Sequence, residues 1–441
     1  MITIQDNDYL GKVYPLSEVE ELLYIANKPI KQLCEEENLL IYPLDIEDSN
    51  DKIGENSIVS IYANEGSSVR IKTGNIMGFI GRNNQYLKIY SRFDNDQNDF
   101  FMHYMLQKVF SYNIFNLDFM STEENILKIL VLMFPTMLKT AMKQGIYKEY
   151  RKVQYNDSNV RGTIDISRHI RENIPFCGNI SYDTEEFCYD NAVMELIRHT
   201  IEYIRTIPLG DMILSSNEVV EECVSKVISY TPCYRHSDRL KIIHENLTPC
   251  RHPYYTGYNA LQKICIQILN QEDMKYGDGD GSVSGILFDG AWLWEEYLNT
   301  LLCDYDFNHP QNKQGTGAIY LFEHGGKRYP DFWKKDFVLD AKYKKYAQNG
   351  NKLDIAIDDI NQIVTYMFRL KSQKSGIICP LIGEKNKTIS ERMNKNGYNG
   401  IMYIYALAIP QKCKSYDDFA NKMGKNENQL IKEIMGIGGV I

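Results

Sequence analysis

The stretch from Arg328 to Lys344 contains residue types and spacings suited to phosphodiester chemistry. In Phe337-Val338-Leu339-Asp340-Ala341-Lys342-Tyr343 an apolar run takes on alternating polar residues at its end, the pattern of a strand leaving a buried sheet. Period two puts Asp340 and Lys342 on one face and Ala341 on the other. Lys334-Lys335-Asp336 reads as a turn, so Tyr329 to Trp333 and Phe337 to Tyr343 form a hairpin that returns Asp331 towards Asp340. Hard divalent cations such as Mg²⁺ take oxygen ligands from one or two carboxylates, completed by water and substrate phosphate. Asp331 and Asp340 could hold such an ion, with Mn²⁺ as the alternative metal. Lys342 could then orient the attacking water or neutralise charge developing on phosphate. The competing reading of these residues is an ordinary charged hairpin.

The elements that must position these groups lie on either side. Upstream, Phe288-Asp289-Gly290-Ala291-Trp292-Leu293-Trp294-Glu295-Glu296-Tyr297-Leu298 opens a helix whose Leu293, Tyr297, Leu301 and Leu302 share a face. Downstream, 354 to 370 reads as a helix with Gln362 and Tyr366 four apart on one side. The expected order is helix 290–302, strand 317–323, the hairpin, helix 354–370, then strands 375–382 and 401–408, an α/β arrangement. The form Pro330-Asp331, then Asp340-Ala341-Lys342, resembles the PD-(D/E)xK nuclease superfamily. That resemblance implies a further metal-binding acid on the preceding helix, for which Glu295 is the choice and Glu296 the alternative. Gln362 and Tyr366 resemble the Gln-x-x-x-Tyr pair of RecB-like members, with a core tyrosine and a surface glutamine as the plainer reading.

A chain of 441 residues exceeds one ordinary core, so two or three domains are expected. The fold class is read as α+β and multidomain: a β-rich N-terminal module at 1–110, a mainly helical middle region at 111–275 and an α/β nuclease core at 283–441. The run Lys275 to Ser282, with glycines at 277, 279 and 281, is either the linker before that core or a mobile loop beside the site. Within the first module Ile2 to Ile4 is a strand, Val19 to Leu33 a helix, 58–62 and 69–71 further strands, and Gly74 to Gly81 leads through a turn at Arg82-Asn83-Asn84 to Tyr86–Phe93. In the middle region Ser121-Thr122-Glu123-Glu124 is a capping box for an apolar helix that Pro135 should kink or break. Arg161, Arg168 and Arg171 are read as phosphate contacts or, alternatively, as ion-paired residues, and His169 and His199 as ordinary helix residues.

Hydrophobic content of 44% and charged content of 24% are those of a globular protein. The longest apolar run, Ile126 to Leu138, is too short to span a bilayer, and the start Met1-Ile2-Thr3-Ile4-Gln5-Asp6 lacks the pattern of a secretory signal. The ten cysteines include no Cys-x-x-Cys pair, which argues against structural zinc and for a reducing, cytoplasmic setting with no membrane partner. Net charge is −9, yet residues 327–352 carry eight basic against three acidic side chains. Within that local excess Lys327, Lys334, Lys335, Lys344 and Lys345 are candidate contacts for the phosphates of double-stranded DNA, the alternative being a solvated rim. No Walker A motif occurs, so no nucleotide site is expected on this chain.

Taken in order, several stretches resemble the McrC family, the nuclease subunits of McrBC-type restriction systems. They are Gly78-Phe79-Ile80 with Leu87-Lys88-Ile89, Gly145 to Tyr150, Val160-Arg161-Gly162-Thr163-Ile164-Asp165, Asp190-Asn191, Leu293-Trp294-Glu295, Pro330-Asp331, Asp340 to Lys344, and Gln362 with Tyr366. Ser91-Arg92 stands where the family often has Pro-Lys, and Trp294 where it usually has phenylalanine. The resemblance implies an endonuclease that binds and stimulates a hexameric McrB-like AAA+ GTPase, the subunit that recognises and translocates DNA. Cutting both strands needs two sites or two events, so dimerisation through the nuclease domain is expected. A self-sufficient repair nuclease and a non-cleaving activator of an NTPase are the other readings.

Overall fold

The structure is a computed structural model that describes residues 2–44, 53–83, 85–94, 99–110, 122–250, 252–274, 283–310, 317–349, 352–394 and 399–436. The Lys275–Ser282 run and Ser121 of the expected capping box lie outside these residues. The chain divides into two compact units, one made of Met1–Thr122 with Gly279–Ile441, the other of Glu123–Asp278.

The first unit contains two five-stranded sheets. One runs in the order Ile2–Gln5, Gln85–Tyr90, Ile76–Arg82, Val283–Asp289, Asn38–Tyr42. Alternation is plain in its first strand, where Ile2 and Ile4 are buried and Thr3 and Gln5 are half-buried. A smaller antiparallel sheet of Lys12–Pro15, Ser68–Thr73 and Val59–Ala63 contributes Val59, Ile61, Val69 and Ile71 to the same core. The strand Val283–Asp289 pairs antiparallel with Ile76–Arg82 and parallel with Asn38–Tyr42, so the segment leading into the expected nuclease core completes the N-terminal sheet. The backbones approach closely there: a Cβ on Gly78 would come within 2.2 Å of the Ile286 carbonyl oxygen, and its φ of +126° is one that other residues rarely adopt.

The helix expected over Val19–Leu33 is instead two 3₁₀ turns, Leu16–Glu18 and Glu21–Tyr24, followed by the α-helix Ile30–Glu36. Pro29 explains the interruption, because it disfavours helical backbone at the residue before it and suits the start of a new helix. Asn27 breaks the run further with a φ of 61°.

The second five-stranded sheet has the order Phe332–Lys334, Phe337–Ala341, Lys374–Ile382, Ile401–Ile409, Lys387–Arg392, with parallel pairing in the middle and antiparallel strands at both edges. Helix Ile357–Leu370 lays Ile363, Tyr366 and Met367 into a core with Val338, Ile377 and Cys379. Helix Gly290–Leu302 starts where the Asp289 carboxylate accepts from the N–H groups of Ala291 and Trp292. Helix Tyr416–Met435 is capped in the same way by Ser415. The Lys387–Arg392 strand, absent from the expected order, completes one edge.

In the second unit the middle region is not all helical. Glu149–Asp157 and Ile180–Cys188 pair antiparallel over their full length, and Thr163–Ile164 joins the other edge of Ile180–Cys188. Glu149–Asp157 is largely exposed and Ile180–Cys188 fully buries only the adjacent Ser181 and Tyr182, so neither shows the sustained alternation by which a half-buried strand is recognised. The helix Thr122–Met142 runs through Pro135 without a break. Burial of Leu130, Met133, Phe134 and Leu138 around that position offsets the backbone hydrogen bond that proline removes. Arg168 is buried and ion-paired to Asp183 at 3.0 Å, the second of the two readings given to it above.

Among the described residues no helix is long and apolar enough to cross a membrane.

Candidate functional site

The expected hairpin is present. Phe332–Lys334 pairs antiparallel with Phe337–Ala341, and Asp336 makes the turn at a φ of 63°. The return brings the two acids together: Asp331 Oδ2 accepts from the backbone N–H of Ala341 at 2.6 Å, beside Asp340. Asp340 is fully buried, while Asp331 is half-buried. Lys342 Nζ lies 2.6 Å from Asp340 Oδ2 and donates to Gln362 Oε1 at 3.0 Å. Gln362 Nε2 donates to the Tyr366 hydroxyl at 2.8 Å, which donates onward to the Tyr329 carbonyl at 3.2 Å. Gln362 and Tyr366 therefore do two things at once: the tyrosine is a core residue, and the pair braces Lys342 against the start of the hairpin.

The electrostatics follow from placing two carboxylates beside one ammonium in a dry position. Burial raises the pKa of Asp340 to about 7, with the neighbouring Asp331 charge adding to the rise and Lys342 opposing it. Asp331 is raised by burial too, opposed by Lys342 and by the Ala341 N–H. For Lys342 burial alone would favour the neutral amine, but Asp340 and Asp331 outweigh it and hold the group protonated, above its ordinary value. Oδ1 of Asp340 is buried with no hydrogen-bond donor. Two adjacent carboxylates, one with an oxygen unmet, fit a hard divalent cation, whose remaining ligands would be water and substrate phosphate. Among the described residues no group of three or more His, Cys, Asp or Glu side chains forms a ready metal cage.

Glu295 and Glu296 both point to a residue that sequence reasoning passed over, His309. Its Nδ1 is 2.8 Å from the Asp331 carbonyl oxygen and 3.8 Å from Glu295 Oε1, and its Nε2 is 3.5 Å from Glu296 Oε1. The ring stacks on Phe332 at 4.9 Å. Burial favours neutral His309, but Glu296 and the Asp331 carbonyl outweigh it and raise its pKa. A solitary histidine in Phe307-Asn308-His309-Pro310 has no spacing signal. The paired backbone bonds between Asn308 and Trp333, distant in sequence, bring that segment onto the hairpin.

The lysines expected to meet phosphate fall into two groups. Lys344 is bound to Asp359 at 2.7 and 3.0 Å, and Lys334 donates to the Tyr305 carbonyl at 3.4 Å beneath the Phe307 ring. Lys327, Lys335 and Lys345 are exposed. Between them Tyr343 turns inward, where its hydroxyl meets Ser91 Oγ at 2.7 Å and Met77 Sδ at 3.3 Å, and Arg92 lies over its ring at 4.8 Å. The end of the site strand is thus fastened to the N-terminal sheet by Ser91-Arg92.

The site is a carboxylate pair with a bound lysine, carried on a hairpin at the edge of a mixed sheet. A family model described as McrBC 5-methylcytosine restriction system component matches residues 71–380, a span that includes all of these site residues. The chain belongs to that family. Among solved structures, one of Thermococcus gammatolerans McrB AAA+ hexamers with bound McrC is 17% identical, covers 96% of this chain and 99% of that chain, and has a TM-score of 0.45. A cryo-EM structure of the Thermococcus gammatolerans McrBC complex is 19% identical over 68% of this chain and 87% of that one, with a TM-score of 0.32. No curated protein matches.

Proposed function

We propose that this chain is the McrC-like nuclease subunit of a restriction complex, a metal-dependent DNA endonuclease of the PD-(D/E)xK kind that works with an McrB-like AAA+ GTPase hexamer. The observation that carries the reading is the buried Asp340 carboxylate, set beside Asp331 and Lys342 with one oxygen unmet, within the segment matched by the family. Asp331 and Asp340 would hold Mg²⁺, or Mn²⁺ in its place, and the ion would supply Lewis-acid polarisation of the scissile phosphodiester. Glu295 assists from the neighbouring helix, with His309 between it and the Asp331 backbone.

Lys342 serves as a cation. Its raised pKa makes it a poor base and a good partner for negative charge developing on phosphate. Gln362 fixes the ammonium from the side opposite Asp340, so the charge is in place before substrate arrives. Exposed Lys327, Lys335 and Lys345 supply sequence-blind phosphate contacts. Double-strand cutting would pair two copies of the nuclease region.

The test is cleavage of double-stranded DNA by the chain assembled with its AAA+ partner, in Mg²⁺ with GTP or ATP, comparing the parent with Asp340→Ala. Cleavage that needs partner and nucleotide and vanishes in the variant supports the proposal. Stimulation of hydrolysis without cleavage by either form would instead make the chain an activator, and cleavage without any partner a self-sufficient nuclease.

A further inference from the structure

Beside the candidate site stands a two-stranded hairpin, Ile319–Phe322 paired with Gly325–Arg328, that the function described so far does not use. Its two faces differ. On the outer face Tyr320 and Phe322 are 45% and 70% exposed, and Lys327 is paired directly opposite Tyr320. Gly326 in the second strand leaves room for the Phe322 ring, since a Cβ there would come within 2.7 Å of it. On the inner face Leu321 and Arg328 line a cleft of about 290 Å³. The opposite wall is one stripe of helix Ile357–Leu370, with Asp358, Asn361 and Thr365 at its mouth and Gln362 and Tyr366 at its base. Arg369 of the same helix donates its Nε–H to the Tyr320 carbonyl and fastens the hairpin to it.

The lining chemistry is selective. A bare anion would suit Arg328 but be repelled by Asp358, and an apolar ligand would need neither. A nucleotide uses both, because its phosphate is anionic while its base edge carries donors as well as acceptors and its faces are apolar. The volume is at the small end of ligand pockets, enough for one base and its sugar. Position points the same way, since Gln362 lines the cleft and holds Lys342 at 3.0 Å. The cleft is therefore one side chain away from the place where the scissile phosphate would sit. Paired bases in a duplex cannot enter such a cleft, whereas an unstacked one can, and Leu321 offers its face an apolar surface.

We propose that this hairpin and cleft bind one unpaired nucleotide of the DNA strand next to the cut, with Arg328 on its phosphate, Asp358 and Asn361 on its base edge, and Leu321 against its apolar face. The inference rests on the nuclease reading above. It makes local strand opening a part of substrate binding.

The test uses the full chain assembled with its AAA+ partner and measures fluorescence anisotropy of two labelled duplexes, one fully paired and one with a single mismatched base. The parent is expected to bind the mismatched duplex about tenfold more tightly, the order of one hydrogen bond to a charged group. Leu321→Ala and Arg328→Ala should each lose most of that preference, and Leu321→Met should restore it. Equal binding of both duplexes by the parent, or an undiminished preference in Leu321→Ala and Arg328→Ala, overturns the proposal. Cleavage by Asp340→Ala is scored separately: activity there would refute the nuclease reading, whereas an inactive Asp340→Ala with normal duplex discrimination in the hairpin variants would refute this inference alone.

Discussion

Two buried acid–base clusters in the same compact unit are built to opposite plans. Asp6 is fully buried and faces Arg92, whose backbone N–H, Nε–H and Nη2–H groups donate to it at 2.5, 2.9 and 2.6 Å. Burial raises the Asp6 pKa, and Arg92, with a smaller contribution from Lys345, pulls it back. Arg92 is itself engaged further, donating to Asn75 Oδ1 and lying over the Tyr343 ring. At Asp331, Asp340 and Lys342 two acids share one cation, and an oxygen of Asp340 is left without a donor. A closed cluster holds elements together, and an open one is a place prepared for charge that arrives later. Natural structures rarely leave a buried carboxylate oxygen unmet without a reason; Asp99, ion-paired to Lys88 at 2.7 Å, shares that feature, so the contrast supports the motif at Asp340 and does not replace it.

The largest expected effect separates the clusters by readout. Asp340→Ala should lower the cleavage rate of the assembled complex by on the order of a thousandfold or more, with circular dichroism of the chain unchanged. Asp6→Ala should do the reverse: loss of about 3–5 kcal/mol in urea unfolding, because Arg92 is left as an uncompensated buried charge, with no comparable defect per folded molecule. If Asp6→Ala abolished cleavage without loss of stability, the division into closed and open clusters would be wrong.

Removing the shared cation tests the open cluster from the other side, and Lys342→Ala should slow cleavage by about a hundredfold. Stability against pH sharpens the point in metal-free buffer. Asp340 titrates at about 7 in the folded chain and near an ordinary carboxylate value of about 4 when unfolded, so its protonated form favours the fold. That contribution is complete below pH ~4 and is lost as pH rises to ~7. Thermal unfolding in EDTA should therefore show Asp340→Asn gaining on the parent as pH increases from 4 to 7, and a constant gap between the two would contradict the assignment. The smallest effect is expected at Gln362, where Ala leaves the charges in place and removes only the brace on Lys342. Cleavage should fall about tenfold, the scale of one charged hydrogen bond, and an unchanged rate would show that Asp340 positions the lysine unaided.

How much was legible before folding varies with the range of the interactions involved. The hairpin 329–343 could be read because its information is local: a turn sequence, period-two alternation and an apolar run that ends in polar residues. Gln362 and Tyr366 were legible as a pair because four residues is one helical turn, but what they hold was not. His309 gave no signal, since its meaning depends on the Asn308–Trp333 pairing that seats it between Glu295, Glu296 and Asp331. Ser91-Arg92 read only as a departure from a family pattern, and the structure places both on Tyr343, about 250 residues along the chain. The polar strands 149–157 and 180–188 escaped because each is defined by its partner and neither has a buried face to record it.

Spacing, periodicity and residue chemistry sufficed to name Asp331, Asp340 and Lys342 as a possible phosphate-cutting set, because strand and helix geometry are short-range and repeat along the chain. They could not say which of the surrounding charges would be neutralised. That depends on burial and on partners distant in sequence, which decide that Lys344 is taken by Asp359, that Arg168 is taken by Asp183, and that Asp6 is closed by Arg92 while Asp340 is not. Desolvation and long-range pairing exist only once the chain has folded, and at this site they are what separates a charged hairpin from a candidate active centre.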